Sequence, residues 1–197
     1  MRRLLGIGVV VAVVASGCGS TKTVTVTQTL TTVKTVTTTK APTTSTNTTT
    51  PSAGASACSG ADLQATFSGI AGSAGAGHVS YELVLTNTSN SACSVSGVPV
   101  ATLLDKTEGA LPTQVSTAPG NGTPTVVLQH GDAAKAEARF SPDVPGTGEQ
   151  QTGPCERTAY FLRVAAAGGG TVNAAISPPT PVCEHGALSF SAFTAAP

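Results

Sequence analysis

Three histidines, five cysteines and ten carboxylates are the groups with which this 197-residue chain could do chemistry. His78, His130 and His185 would suffice for a three-histidine zinc site if the fold brought them together. They fall at a strand start, a strand end and in a loop, so dispersed turn histidines are the plainer expectation. Cys58, Cys93, Cys155 and Cys183 contain no C-x-x-C pair, which argues against a thiolate metal site. Cys183 beside His185 has the residue types of a thiol nucleophile and its base. That role needs an unpaired Cys183 and would strand Cys155. Gly72-Ser73-Ala74-Gly75 has Ala71 where a nucleophile elbow requires glycine. A P-loop, a dinucleotide fingerprint after a strand, an HExxH helix and an EF-hand loop are absent. Asp105 and Glu108 flank the turn at Lys106-Thr107 and read as a solvated face. With no Trp, and Met1 the only Met, methionine-rich metal or haem chemistry is excluded. These residues predict no catalytic side chain, no metal ligand and no cofactor.

The elements that must position any site begin with an address. Arg2 and Arg3 precede an apolar run from Leu4 to Ala15, too short to span a bilayer, which needs about 20 apolar residues. The run ends in Ala15-Ser16-Gly17-Cys18, which resembles a bacterial lipobox. Residues 1–17 are therefore read as a lipoprotein signal peptide and Cys18 as the lipid-bearing mature N-terminus.

Residues 18–57 read as a disordered tether. Between Thr21 and Thr50, seventeen of thirty residues are Thr, too polar a stretch to offset its ordering entropy by burial. As a flexible coil the tether would span roughly 35 Å. Asn47, Asn87 and Asn121 begin N-x-Ser/Thr sequons, read as coincidences of a Thr-rich composition.

Formal net charge is zero, but the signs are segregated. All ten acids lie from Asp62 onward, whereas five of the ten bases precede residue 55. The remainder carries five bases against ten acids, a net of −5. That excludes a nucleic-acid binder, which needs a basic footprint.

From Ser56 the pattern becomes that of an all-β domain, assigned to residues 58–197. Val79, Tyr81, Leu83 and Leu85 share one parity, as do Ala134, Ala136, Ala138 and Phe140, and Leu188, Phe190 and Ala192. Such alternation marks half-buried strands. Further strands are predicted at Leu63–Ser68, Val95–Leu104, Thr125–Gln129, Tyr160–Ala165 and Thr171–Ile176. Turns are predicted at Gly72–Gly77, Pro119–Gly122, Pro142–Gly148, Gly168–Gly170 and Pro178–Pro181. Seven or eight short antiparallel strands suggest a β-sandwich.

Setting Cys18 aside for lipid leaves four cysteines, an even number in an oxidising compartment. Four allow three connectivities. Cys58–Cys93 and Cys155–Cys183 are favoured, because each encloses a moderate loop and ties a strand entry to a nearby element.

Several of these residues form a distinctive series. It runs Cys58-x3-Asp62-Leu63, then Gly77-His78-Val79-Ser80-Tyr81-Glu82-Leu83-Val84-Leu85-Thr86-Asn87-Thr88-Ser89, then Cys93-Ser94-Val95-Ser96-Gly97-Val98-Pro99. Leu128-x2-Gly131-Asp132-x-Ala134, Cys155-x6-Leu162-Arg163-Val164 and Cys183 follow. The series resembles the DUF4232 domain of actinobacterial secreted proteins and lipoproteins, across about residues 58 to 194. The resemblance implies an Ig-like sandwich outside the cytoplasm and supports the favoured disulfide pairing. It implies no activity, and Asn87–Asn90 and Gly97–Pro99 are sufficiently explained as turns. Together these readings describe a non-catalytic lipoprotein of the cell envelope. It is exported, anchored to the cell membrane through lipid on Cys18, and binds an envelope protein or glycan. The alternative is an envelope hydrolase or metal-dependent enzyme with an unrecognised site.

Overall fold

A computed structural model describes residues 54–120 and 122–197. The signal peptide, Cys18, most of the tether, Asn47 and Asn121 lie outside the described residues. Eleven strands and almost no helix make the domain all-β. They are β1 (Leu63–Gly69), β2 (Val79–Asn87), β3 (Cys93–Ser96), β4 (Val100–Leu104), β5 (Gln114–Thr117) and β6 (Thr125–Leu128). β7 (Ala133–Phe140), β8 (Ala159–Ala165), β9 (Thr171–Thr180), β10 (Ala187–Phe190) and β11 (Thr194–Ala195) complete the set.

The eight predicted strands are present with corrections. Val95–Leu104 is two strands, because Gly97 takes φ 70° and turns the chain between β3 and β4. The sequence patterning does not predict β5, where only Val115 is part-buried, or β11, whose two residues are too short for a period to register. β9 continues through Pro178 and Pro179, where a turn was expected.

Nine strands form one sheet in the order β4-β8-β9-β1-β2-β7-β10-β5, with β11 beside β7, while β3 and β6 pair separately. The sheet is mixed, not purely antiparallel. β1 runs parallel to β9 and β10 parallel to β5. Parallel neighbours need long connections, so these pairings join residues that local alternation cannot relate.

Leu103, Leu162 and Val164 from one end of the strand order share a core with Leu188 and Phe190 from the other. The sheet must therefore fold over on itself. Phe67 stacks on Tyr81 with ring centroids 5.2 Å apart, and Tyr81 on Phe140 at 5.1 Å. The Ala134, Ala136 and Ala138 face of β7 is fully buried. Small residues there let neighbouring large ones interdigitate.

The residues just before Cys58 are hydrogen-bonded to β3. Ser94 donates its amide to Ser56 O at 2.8 Å, and Cys58 donates to Ser94 O at 2.9 Å. Ala57 forms a parallel bridge with Ser94. The end of the tether is thus tied down beside the disulfide that joins Cys58 to Cys93, whose Cα atoms are 4.8 Å apart.

Candidate functional site

Two places at opposite ends of β2 could interact with something outside the domain. The first lies where β2 ends and the tether enters. Here Leu63, Leu85, Val95, Val98, Val164 and Phe193 line a mainly apolar pocket of about 200 Å³. Several close approaches shape it. Gly168 donates to Cys58 O at 2.9 Å, and a Cβ on Gly168 would lie 2.4 Å from Ala57 O. Only glycine lets the β8–β9 turn sit this near the entering chain. Phe193 donates its amide to Gly97 O at 2.8 Å, which closes another wall. Val100 stands on the rim and is 67% exposed.

The residues that carry the sequence resemblance build this end of the domain. Asn87 is fully buried. Its Nδ2 donates to Ser91 O at 2.8 Å and Leu128 O at 3.0 Å, and its Oδ1 accepts from Ser89 N and Ser89 Oγ at 2.9 Å each. Every hydrogen-bonding atom of the side chain has a partner, as a buried amide requires. Thr88 donates its amide and its hydroxyl to Asp62 O at 2.8 and 3.0 Å. Gly131, at φ 84°, donates to Asn87 O, and Asn87 donates to Asp132 O. These residues fasten turns. A glycan on Asn87 would have to remove at least one of the two bonds its Nδ2 donates.

The second place lies at the other end of β2, where the segment between β7 and β8 meets the turn after Cys183. A disulfide joins Cys155 to Cys183, with Cα atoms 5.5 Å apart. Glu184 and His185 both take left-handed φ of 57°. That aims their amides at the Glu149 carboxylate: Glu184 N donates to Oε2 at 2.9 Å and His185 N to Oε1 at 2.5 Å. Gly146 N adds a third bond, to Oε2 at 2.6 Å. The Glu149 side chain is only 1% exposed. Burial raises its pKa, but the amides of His185, Gly146 and Glu184 and the charge of His185 outweigh that, so it ends below the ordinary carboxylate value. His185 Nδ1 lies 3.7 Å from Glu149 Oε1 and 3.8 Å from Glu156 Oε1.

The three histidines do not form the site their residue type allows. His78 Nδ1 donates to Ala76 O at 3.0 Å and His130 Nδ1 to Ser89 O at 2.9 Å. Only His185 of the three has carboxylate oxygens at metal-ligand separation among the described residues. Cys183 is not a free thiol. Ser73 Oγ donates to Ser80 O at 3.1 Å and accepts from Ser80 N at 3.0 Å, so it fastens the loop between β1 and β2.

Asp105 and Glu108 do more than face solvent. Asp105 Oδ1 accepts from Thr107 Oγ1 at 2.7 Å, Thr107 N at 2.8 Å and Gly109 N at 2.9 Å. Its Oδ2 meets Arg157 Nη1 at 2.9 Å. The Thr107 hydroxyl and amide, the Gly109 amide and Arg157 together hold its pKa below the ordinary value. Glu108 reaches Arg163 at 3.4 Å.

Sequence reasoning did not single out Glu149 or Glu156. One signal was present. Glu156 follows Cys155 directly and His185 stands two residues after Cys183, so the expected disulfide already implied that they meet.

The family model for DUF4232, a domain of unknown function, matches residues 58–194. No curated protein matches the chain, and no solved structure does.

Proposed function

The chain belongs to the DUF4232 family, and on that premise we propose that it is a non-catalytic lipoprotein of the cell envelope that acts by binding another envelope protein. It is exported, processed at Cys18, and held on the extracytoplasmic face of the cell membrane by lipid on that residue. The Thr-rich segment spaces the domain from the bilayer. The ladders on either side of β9 pack face to face as an Ig-like sandwich, and the domain binds at the end where the tether enters.

The observation that carries the binding role is the apolar pocket beside the open part of edge strand β4. β4 is the first strand in the sheet order. On its outer side, Leu103 O accepts from Leu111 N at 2.8 Å and Leu103 N donates to Thr113 Oγ1 at 2.9 Å. Alternation along an antiparallel ladder turns Ala101, two residues earlier, the same way. Its N–H and C=O then face outward, next to Val100 and the pocket. An extended peptide can pair with that backbone and place one apolar side chain in the pocket, which is strand addition with a specificity pocket. The walls are aliphatic side chains plus the largely buried Phe193, with no exposed aromatic face for a sugar ring. This favours a protein over a glycan. The net acidic balance suits a basic or neutral partner.

The test is a photo-crosslinking residue placed at Val100 in intact cells, with a control at Ile70 at the far end of β1. The reading predicts one discrete adduct from position 100, absent from position 70 and lost when Ala101→Pro removes the outward amide. Equal patterns from both positions, or persistence of the adduct in Ala101→Pro, would count against it.

A further inference from the structure

We propose that Glu149, Glu156 and His185 form a binding site for a divalent metal ion of the zinc class. This goes beyond the binding role and departs from the expectation that no side chain of the chain holds a metal.

The imidazole supplies the first part of the argument. His185 Nε2 lies 3.2 Å from Thr147 O. A carbonyl can only accept, so Nε2 is the donor there, and Nδ1 is the ring nitrogen that faces the carboxylates. A backbone carbonyl on the far nitrogen is the usual way a metal-bound histidine is oriented. Nδ1 faces Glu149 Oε1 at 3.7 Å and Glu156 Oε1 at 3.8 Å, and all three donor atoms lie within 4.8 Å of one another. Three electron-rich atoms converge there and call for an electron-deficient occupant.

The spacing of the donors fits a metal ion. A proton on Nδ1 would need an oxygen at about 2.7–3.2 Å to form a hydrogen bond, and both oxygens are farther away. Two metal–ligand bonds of about 2.1 Å span 3.7 Å at an angle near 125°. The two separations from Nδ1 therefore suit a shared ion. Charge agrees, since two carboxylates and a neutral imidazole balance a divalent cation. The mixed nitrogen and oxygen donors suit zinc better than magnesium or calcium, which take oxygen, or copper(I), which takes sulfur.

The scaffold holds the donors before any ion arrives. The Cys155–Cys183 bond fixes the two segments that carry Glu156 and His185. Three backbone amides fix the Glu149 carboxylate, yet Oε1, which accepts only one of them, retains a lone pair for the ion. The His185 side chain is half exposed, so an ion can enter from solvent and complete its coordination with water. Bound there, the ion closes the segment between β7 and β8 onto the turn after Cys183.

The test uses the full chain, purified in detergent without a histidine tag, stripped by chelator and titrated with Zn²⁺ by calorimetry. One ion per chain is expected. Glu156→Gln and His185→Ala should each weaken it at least about 10-fold, whereas His78→Ala and His130→Ala leave it unchanged. Glu156→Gln is the decisive variant, because Glu149 also fastens the loop. No stoichiometric binding, or binding indifferent to Glu156→Gln and His185→Ala, would overturn the site. None of these results depends on the partner proposed for the apolar pocket.

Discussion

Replacing Asn87 with Leu keeps a side chain of similar size and removes every polar atom from its buried position. Four hydrogen bonds disappear, to Ser91 O, Leu128 O, Ser89 N and Ser89 Oγ. At about 1 kcal/mol net per bond the loss is about 4 kcal/mol. The Ser89 and Ser91 groups lie in an exposed turn and can turn to water, which trims the figure. Leu128 is buried, and its carbonyl loses this donor inside the protein. An outcome of about 3–4 kcal/mol is expected, a large share of the 5–15 kcal/mol typical of a domain. Asn87→Asp is the companion, because it retains Oδ1 but turns a second oxygen toward two carbonyls. It should cost at least as much at neutral pH. Urea unfolding measures both, and the midpoint should fall with the slope unchanged. If Asn87→Leu stays within about 1 kcal/mol of wild type, the buried asparagine does not hold this end of the domain, and the structural explanation of this segment fails.

Other outcomes follow from the same structure. Cys93→Ser should lower stability by about 3–4 kcal/mol, from loop closure over a sequence separation of 35. Non-reducing peptide mapping of the wild type should join Cys58 only to Cys93. Asp105 has a depressed pKa in the folded state, so its stabilisation is complete above its ordinary value of 3.8 and is lost as pH falls through the lower folded value. Asp105→Ala should therefore flatten the acid limb of stability against pH below that value, and an unchanged limb would show that its turn contacts do not matter. Wild type should partition into the detergent phase and Cys18→Ala into the aqueous phase. Equal recovery of both as soluble protein would remove the lipid anchor from the account.

The sequence was most legible where one face of a strand is buried and the other wet. Tyr81, Leu83 and Leu85, or Ala134, Ala136 and Ala138, announce their own parity, and every one of them is in the core. β5 was illegible because only Val115 turns inward, partly, over its four residues. The parallel pairing of β1 with β9 joins Phe67 to Ile176, a contact no local pattern encodes. The Asn87 segment was read as a turn, and three of its four bonds are local, but the fourth reaches Leu128 and depends on tertiary placement. The Glu149 cluster was hidden for a different reason. Its donors come from two distant segments, and Glu149 stands out only once Glu184 and His185 adopt positive φ, a conformation uncommon for such residues. The apolar pocket was hidden because its walls are ordinary core residues and become a site only through the arrangement of strand ends.

The central claim is that the domain binds a protein through the open part of β4 and the pocket beside it. Backbone amide exchange of the chain, with and without the partner captured at Val100, tests it most directly. The account predicts slowed exchange across Val100–Thr102, strongest at Ala101, together with perturbation of Ser94–Ser96 on the pocket wall. Unchanged exchange at Ala101, or protection confined to residues 143–156, would contradict it.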